Sequence, residues 1–158
     1  MYSPPATIRR ASIEDVPALV ESYEWLAQPP GRPPPHWEPQ AAADRLERAL
    51  HSPESAILVA CDGAKLVGFC TVYLEFESVR FGRRAWVEDL AVHPDRRSTG
   101  IGQRLLDRAK GWARERGAER MGLESGEARV DAHRFYERER PAFRSRAFGW
   151  DLRRRSDE

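Results

Sequence analysis

The run Ser55-Ala-Ile-Leu-Val-Ala-Cys61 leaves the chain little choice of local structure. It is too short and too rich in β-branched and aliphatic residues for a surface helix, and its continuous apolar character reads as a strand buried on both faces. Asp62-Gly63 follows at once, a pair that favours a tight hairpin turn, and Lys65 to Leu74 returns as a second strand. Glu75 to Arg83 is a polar connection to a third strand at Arg84 to Val92. An antiparallel meander therefore occupies the middle of the chain.

Helices and further strands are expected on either side. Thr7 to Ala11 reads as a first strand, and Ser12 offers an N-cap to a helix over about residues 13–28, with Val16, Leu19, Val20, Tyr23 and Leu26 at helical spacing and Pro17 in its first turn. Pro29-Pro-Gly-Arg-Pro-Pro-Pro35 admits neither helix nor inner strand, because proline lacks the donor and fixes φ, so it is a stiff surface loop. Trp25 and Trp37 flank that loop as candidate walls of a substrate cleft, with packing under the loop as the other reading. A second helix covers about Pro39 to His51, and a third begins after Gly100 and ends at Gly117. Ala118 to Glu124 reads as a strand, Asp131 to Arg138 as a helix, and Ala142 to Leu152 as a last strand or hairpin. This order predicts an α+β fold with one mixed, mostly antiparallel central sheet flanked by helices on both faces, rather than a regular strand-helix alternation. Residues 1–152 are expected to form a single domain and 153–158 a frayed tail.

At 158 residues the chain is long enough for its own core, and its 41% hydrophobic and 32% charged residues argue against disorder. A net charge of +1 gives no reason to expect nucleic acid as a partner. Cys61 and Cys70 are too few for a disulfide scaffold or a zinc site and are expected to be reduced and buried. The four histidines, His36, His51, His93 and His133, have no metal-ligand spacing, so no metal is expected. No apolar run approaches the roughly 18 residues of a membrane span, and the first residues lack the order of a signal peptide. A cytoplasmic protein away from membranes is the expectation. The sequence leaves the oligomeric state open, a homodimer included.

Chemistry is concentrated between Val87 and Leu106, where a strand turns through a polar loop into an amphipathic helix. A helix start leaves its first N–H groups without intrahelical acceptors and carries partial positive charge, which suits phosphate oxygens. Gly100 and Gly102 let an anion approach the backbone, and Arg96 and Arg97 add positive charge beside it. A Walker loop is excluded, because no lysine follows these glycines.

Glu88-Asp-Leu-Ala-Val92, His-Pro-Asp-Arg-Arg97, Gly-Ile-Gly102 and Ala132-His-Arg-Phe-Tyr136 together resemble the GNAT superfamily of acyl-CoA-dependent N-acetyltransferases. Arg97-Ser98-Thr99-Gly100-Ile101-Gly102 matches the family's pyrophosphate signature, and the order of elements agrees over nearly the whole chain. The resemblance implies acetyl-CoA as donor cosubstrate, its pyrophosphate on the amides of about residues 97–102, and direct transfer to a primary amine in a ternary complex. It implies Glu88 as the base, acting directly or through water, and Tyr136 as the acid that protonates the leaving thiolate; a phenol near pKa 10 suits that task. Leu90, Ala91 and Val92 would meet acetyl-CoA through their backbone. Asp89 would lie on the opposite face by strand alternation unless a bulge intervenes, and it joins Trp25 and Trp37 as a candidate substrate residue.

Some positions depart from the family pattern. Ser98 and Thr99 replace a glycine and a basic residue, with hydroxyls available to a phosphate; Arg129 stands where many members have asparagine; Glu139-Arg-Pro-Ala-Phe143 replaces a Leu-Gly-Phe turn. Arg144, Arg146 and Arg153 to Arg155 offer either a 3′-phosphate contact or a solvated basic tail. The carboxylates at Glu88 and Asp89, with Glu75 and Glu77, favour a small cationic acceptor such as a polyamine or an aminoglycoside. Acetylation of a protein N-terminus or lysine, and an acyl-CoA-binding module without catalysis, remain open at this point.

Overall fold

The computed structural model describes residues 4–153. A five-stranded sheet runs in sequence order: β1 (Thr7–Arg10), β2 (Ser55–Asp62), β3 (Lys65–Leu74), β4 (Arg84–Val92) and β5 (Arg120–Gly122). The first four strands pair antiparallel and β5 pairs parallel to β4, which gives the expected mixed sheet. The hairpin between β2 and β3 turns through Gly63 and Ala64, with Asp62 opposite Lys65. Gly63 takes φ +60°, a backbone region that costs glycine little.

On one face lie a single 3-10 turn (Ile13–Asp15), α1 (Val16–Ser22), α2 (Glu24–Ala27) and α3 (Pro39–His51). The helix expected over 13–28 is thus broken at Tyr23, where the Ser22 hydroxyl donates to the Ala18 carbonyl at 2.6 Å and bends the chain. Asp15 anchors the start, accepting from the Ser12 backbone N–H at 2.8 Å and from Arg9 at 2.7 Å. Arg9 holds this carboxyl below the usual carboxylate range. Val16, Leu19, Trp25 and Leu46 pack on Ile57, Val59, Phe69 and Ala91 to form the core of this face.

On the other face α4 (Ile101–Glu115) buries Ile101, Leu105, Ala109 and Trp112. Its close approach depends on Gly68: a Cβ there would stand 3.0 Å from Ile101 Cγ2 and 3.2 Å from the Ala91 carbonyl oxygen. Gly117, at φ +80°, ends the helix with its own N–H bonded to Arg114 and that of Ala118 bonded to Ala113, as the sequence predicts. Cys61 and Cys70 are buried thiols on the adjacent strands β2 and β3, and burial pushes the Cys70 thiol up to about 12.

Met1–Leu123 forms one compact unit and Glu124–Glu158 another. The second contains α5 (Val130–Arg138), one residue longer than expected. The strand or hairpin expected over 142–152 is not formed: Phe148, Trp150 and Leu152 are 75%, 81% and 91% exposed, and no ladder includes them. Alternating apolar residues make a strand only where a neighbouring strand takes their backbone groups. Residues 154–158, most of the expected frayed tail, lie outside the described residues. Among the described residues no helix is long and apolar enough to cross a membrane.

Candidate active site

The ladder between β3 and β4 slips at one point, with Thr71 opposite Asp89 and Val72 opposite Val87. Glu88 is the extra residue of a β-bulge. Regular alternation would place Asp89 on the opposite face from Glu88, yet the bulge absorbs one step of the period. Asp89 thereby joins Thr71 and Ile57 on the face of α1 and α3, and both carboxylates line one cavity. Of the two readings the sequence leaves open, regular alternation and a bulge, the structure has the bulge.

The cavity measures about 340 Å³ and lies between α3 and the sheet. Tyr23 and Trp37 form one wall; their rings stack at 5.6 Å, and Tyr23 tilts against Phe69 at 5.0 Å. The Tyr23 hydroxyl donates to Asp89 Oδ2 at 2.8 Å, and the Asp89 backbone N–H donates to Thr71 Oγ1 at 3.0 Å. Burial, and then the negative charge of Asp89, hold the Tyr23 phenol far above its ordinary range. Trp37 is 39% exposed and does line the cavity. Trp25 does not: it is a core residue with its ring against Phe69 and His93, so of the two aromatic cleft candidates only Trp37 is at the site. Glu75 is paired with Arg84 at 3.3 Å, and neither it nor Glu77 lines the cavity.

Past Leu90, Ala91 and Val92 the chain leaves the sheet through a 3-10 turn at Pro94–Arg96, in which His93 Nδ1 accepts from the Asp95 N–H at 3.1 Å. Ser98 takes φ +60°, unusual for a residue with a Cβ, and Gly100 takes φ +85° immediately before α4. An added Cβ at Gly100 would meet nothing within 4 Å, so the space over this helix start is open. Both arginines of this loop have partners within the protein. Arg96 is held by Asp62 at 2.7 Å, and Arg97 donates to the carbonyls of Val92 at 3.3 Å and Trp25 at 3.5 Å. Thr99 gives its hydroxyl to the Arg96 carbonyl instead of leaving it for a phosphate. At the start of this 15-residue helix the backbone N–H groups of Ile101 to Gln103 have no intrahelical acceptor.

Within the second unit Arg129 caps α5, with its N–H on the Gly126 carbonyl at 3.0 Å. Tyr136 is half-buried and meets Phe135 edge to face at 5.2 Å. Arg144 pairs with Glu137 and Arg153 with Asp151, Arg146 takes part in no ion pair among the described residues, and Arg154 and Arg155 lie outside the described residues.

The pattern of the Acetyltransferase (GNAT) family matches residues 19–140. The chain belongs to that family. Among curated GNAT relatives it is similar to the uncharacterized N-acetyltransferase YhfO of Bacillus subtilis (strain 168), 36% identical over 62% of this chain and 66% of that one. It is also similar to the aminoalkylphosphonate N-acetyltransferase of Salmonella typhimurium, 33% identical over 63% of this chain and 65% of that protein. The match thus spans slightly less than two thirds of these curated relatives. The GNAT fold is further shared with AAC(6′)-Iy, solved in complex with a bisubstrate analog, CoA-S-monomethyl-acetylneamine: TM-score 0.80, 16% identity, 95% of this chain and 99% of the other.

Sequence reasoning missed Tyr23, Thr71 and Arg45 as cavity residues. Tyr23 sits at helical spacing with core residues and reads as core; its hydroxyl partner is 66 residues away and leaves no local trace.

Proposed function

We propose that the protein transfers an acetyl group from acetyl-CoA to the primary amine of a small molecule that is cationic at its reacting end. The observation that carries this reading is the bulge at Glu88. It turns two neighbouring carboxylates toward one cavity, on the strand that leads through the turn at Pro94–Arg96 to the Gly100 helix start. An ammonium cannot attack a thioester until it loses a proton, and a carboxylate at the cavity wall is placed to take it. Glu88 is that base in this reading. Asp89, held by Tyr23 and Thr71, orients the ammonium, and Trp37 offers it a ring face.

Acetyl-CoA, when bound, supplies the activated acetyl thioester. The open space over Gly100 and the amides of residues 101–103 fit its pyrophosphate, with Arg97 as nearby charge. The backbone of Leu90 to Val92 would meet the acetyl arm, and Tyr136 Oη would give a proton to the leaving sulfur; both assignments rest on the resemblance of their motifs to the family's. A cavity of about 340 Å³ is at the lower end of the ~300–1,000 Å³ usual for small-ligand sites, which supports a small acceptor over a folded protein surface.

The test is thiol release from acetyl-CoA in the presence of an amine panel. Release with at least one amine is expected, and Glu88→Gln and Tyr136→Phe should lower turnover by about 10²-fold or more while CoA affinity is kept. CoA binding with no thiol release from any amine would leave a binding module and reject the reading.

A further inference from the structure

One stripe of α3 contains Ala42, Arg45, Leu46 and Ala49, at steps of three and four, and all of them line the cavity; Ala42 and Leu46 are buried, Ala49 is half-buried, and Arg45 is exposed, on the solvent side of the cavity. The helix's other charged residues, Asp44, Glu47 and Arg48, lie around a separate surface depression. Arg45 is thus the one charged member of an otherwise apolar stripe. Its helical neighbours three and four residues away are Ala42, Arg48, Ala41 and Ala49, none of which can neutralise it. Among the described residues it takes part in no ion pair, and Asp44 beside it is engaged by Gln40 at 3.0 Å. The cavity therefore has a carboxylate wall on β4 and a guanidinium on α3, with Leu46, Ile57 and Val72 among the apolar surface that completes it.

We propose that the acceptor is a small zwitterion, an amine whose other end carries a carboxylate, phosphonate or phosphate group received by Arg45. This rests on the acetyltransferase reading above and narrows its substrate. A guanidinium presents paired donors matched to such an anion, and both bonds are charge-assisted. The same residue repels a second ammonium, so the cavity selects against diamines as well as for zwitterions. The ammonium goes to Glu88 and Asp89, and a short apolar spacer crosses the space between.

The experiment compares 3-aminopropylphosphonate and β-alanine with β-alaninamide and 1,3-diaminopropane as acceptors, by kcat/KM for thiol release. At least one of the two anionic amines should exceed the neutral and dicationic probes by about tenfold or more. Arg45→Gln should reduce that ratio to within about twofold, whereas Arg48→Gln on the outer face should preserve it. A wild-type preference for the diamine, or a preference that survives Arg45→Gln, overturns the zwitterion proposal and leaves the acetyltransferase reading standing. Should no probe release thiol, calorimetric titration of 3-aminopropylphosphonate and 1,3-diaminopropane into the CoA-loaded protein decides the matter separately. Tighter binding of the phosphonate, lost in Arg45→Gln, supports the proposal; equal binding rejects it.

Discussion

The Tyr23 hydroxyl reaches Asp89 Oδ2 at 2.8 Å and ties the break between α1 and α2 to the strand that bears the bulge. The two residues are coupled in both directions. Burial, and then the charge of Asp89, keep the phenol protonated, and the phenol fixes one oxygen of a carboxylate that would otherwise be solvated in several orientations. Because Trp37 stacks on the same ring, a single tyrosine sets both a charge and an aromatic surface of the cavity.

Tyr23→Phe keeps the ring and removes the hydroxyl. Asp89 then loses a donor in a half-buried place, which is expected to cost about 1–2 kcal/mol in urea unfolding. Its effect on turnover should appear as a several-fold rise in acceptor KM with kcat little changed, since Tyr23 positions a binding group and touches no reacting atom. A fall in kcat at constant KM would contradict that role.

Alkaline stability follows from the same burial. The Tyr23 phenol lies above its ordinary value and the Cys70 thiol is pushed to about 12, so both hold their protons in the folded protein after the unfolded chain has released them. The unfolded state then binds fewer protons, and stability must fall as pH rises. Both contributions are complete below about pH 8 and are lost progressively above about pH 9 for the thiol and pH 10 for the phenol. Urea midpoints measured from about pH 8 to about pH 11 should decline, and Tyr23→Phe and Cys70→Ala should each flatten the decline. A flat wild-type profile would rule the coupling out.

Local patterns in the chain were legible because they depend on near neighbours. The Asp62-Gly63 turn, the bounds of β3, β4 and α3, and the Gly117 stop each follow from residues a few positions apart. The family resemblance was also readable, in the Arg97 to Gly102 loop and the Phe135-Tyr136 helix. The bulge could be named only as an alternative, because a slip in register depends on how β3 meets β4. Trp25 and Trp37 look alike in sequence, both beside the proline loop, yet one contacts Phe69 in the core and the other faces the cavity. Arg45 reads as one more charge on a polar helix until the turn of that helix relative to the sheet is known.

Gly68 should prove as important to the cofactor side as any residue of the loop. Gly68→Ala places a methyl 3.0 Å from Ile101 Cγ2 and 3.1 Å from Leu105 Cδ1, at the first two turns of α4. The helix start must move outward or the side chains must leave their rotamers, at about 1–3 kcal/mol. Since the same turns present the amides of residues 101–103, CoA affinity should fall together with stability. Gly111→Ala, in the same helix with open space around it, should raise stability by up to about 1 kcal/mol and leave CoA affinity unchanged. If Gly68→Ala lowers stability and CoA binds as before, the backbone cradle is not where the pyrophosphate sits.

Deleting Glu88 separates the bulge from the fold. Val87 already faces Val72 and Asp89 already faces Thr71, so removing the residue between them gives a ladder that needs no slip. The strand on either side keeps its faces, with Val87 and Ala91 buried as before. The deletion variant should therefore fold with a stability change of about 1 kcal/mol or less, bind CoA, and fail to turn over amines. Glu88→Gln keeps the bulge and loses only the proton acceptor, so raising the pH, which deprotonates the amine without the enzyme's help, should restore part of its rate and little of the deletion's. Equal recovery of the two variants would mean that the bulge contributes nothing beyond the carboxylate. A deletion variant that fails to fold would show instead that the slip is required by packing, and its place in the chemistry would then rest on Glu88→Gln alone.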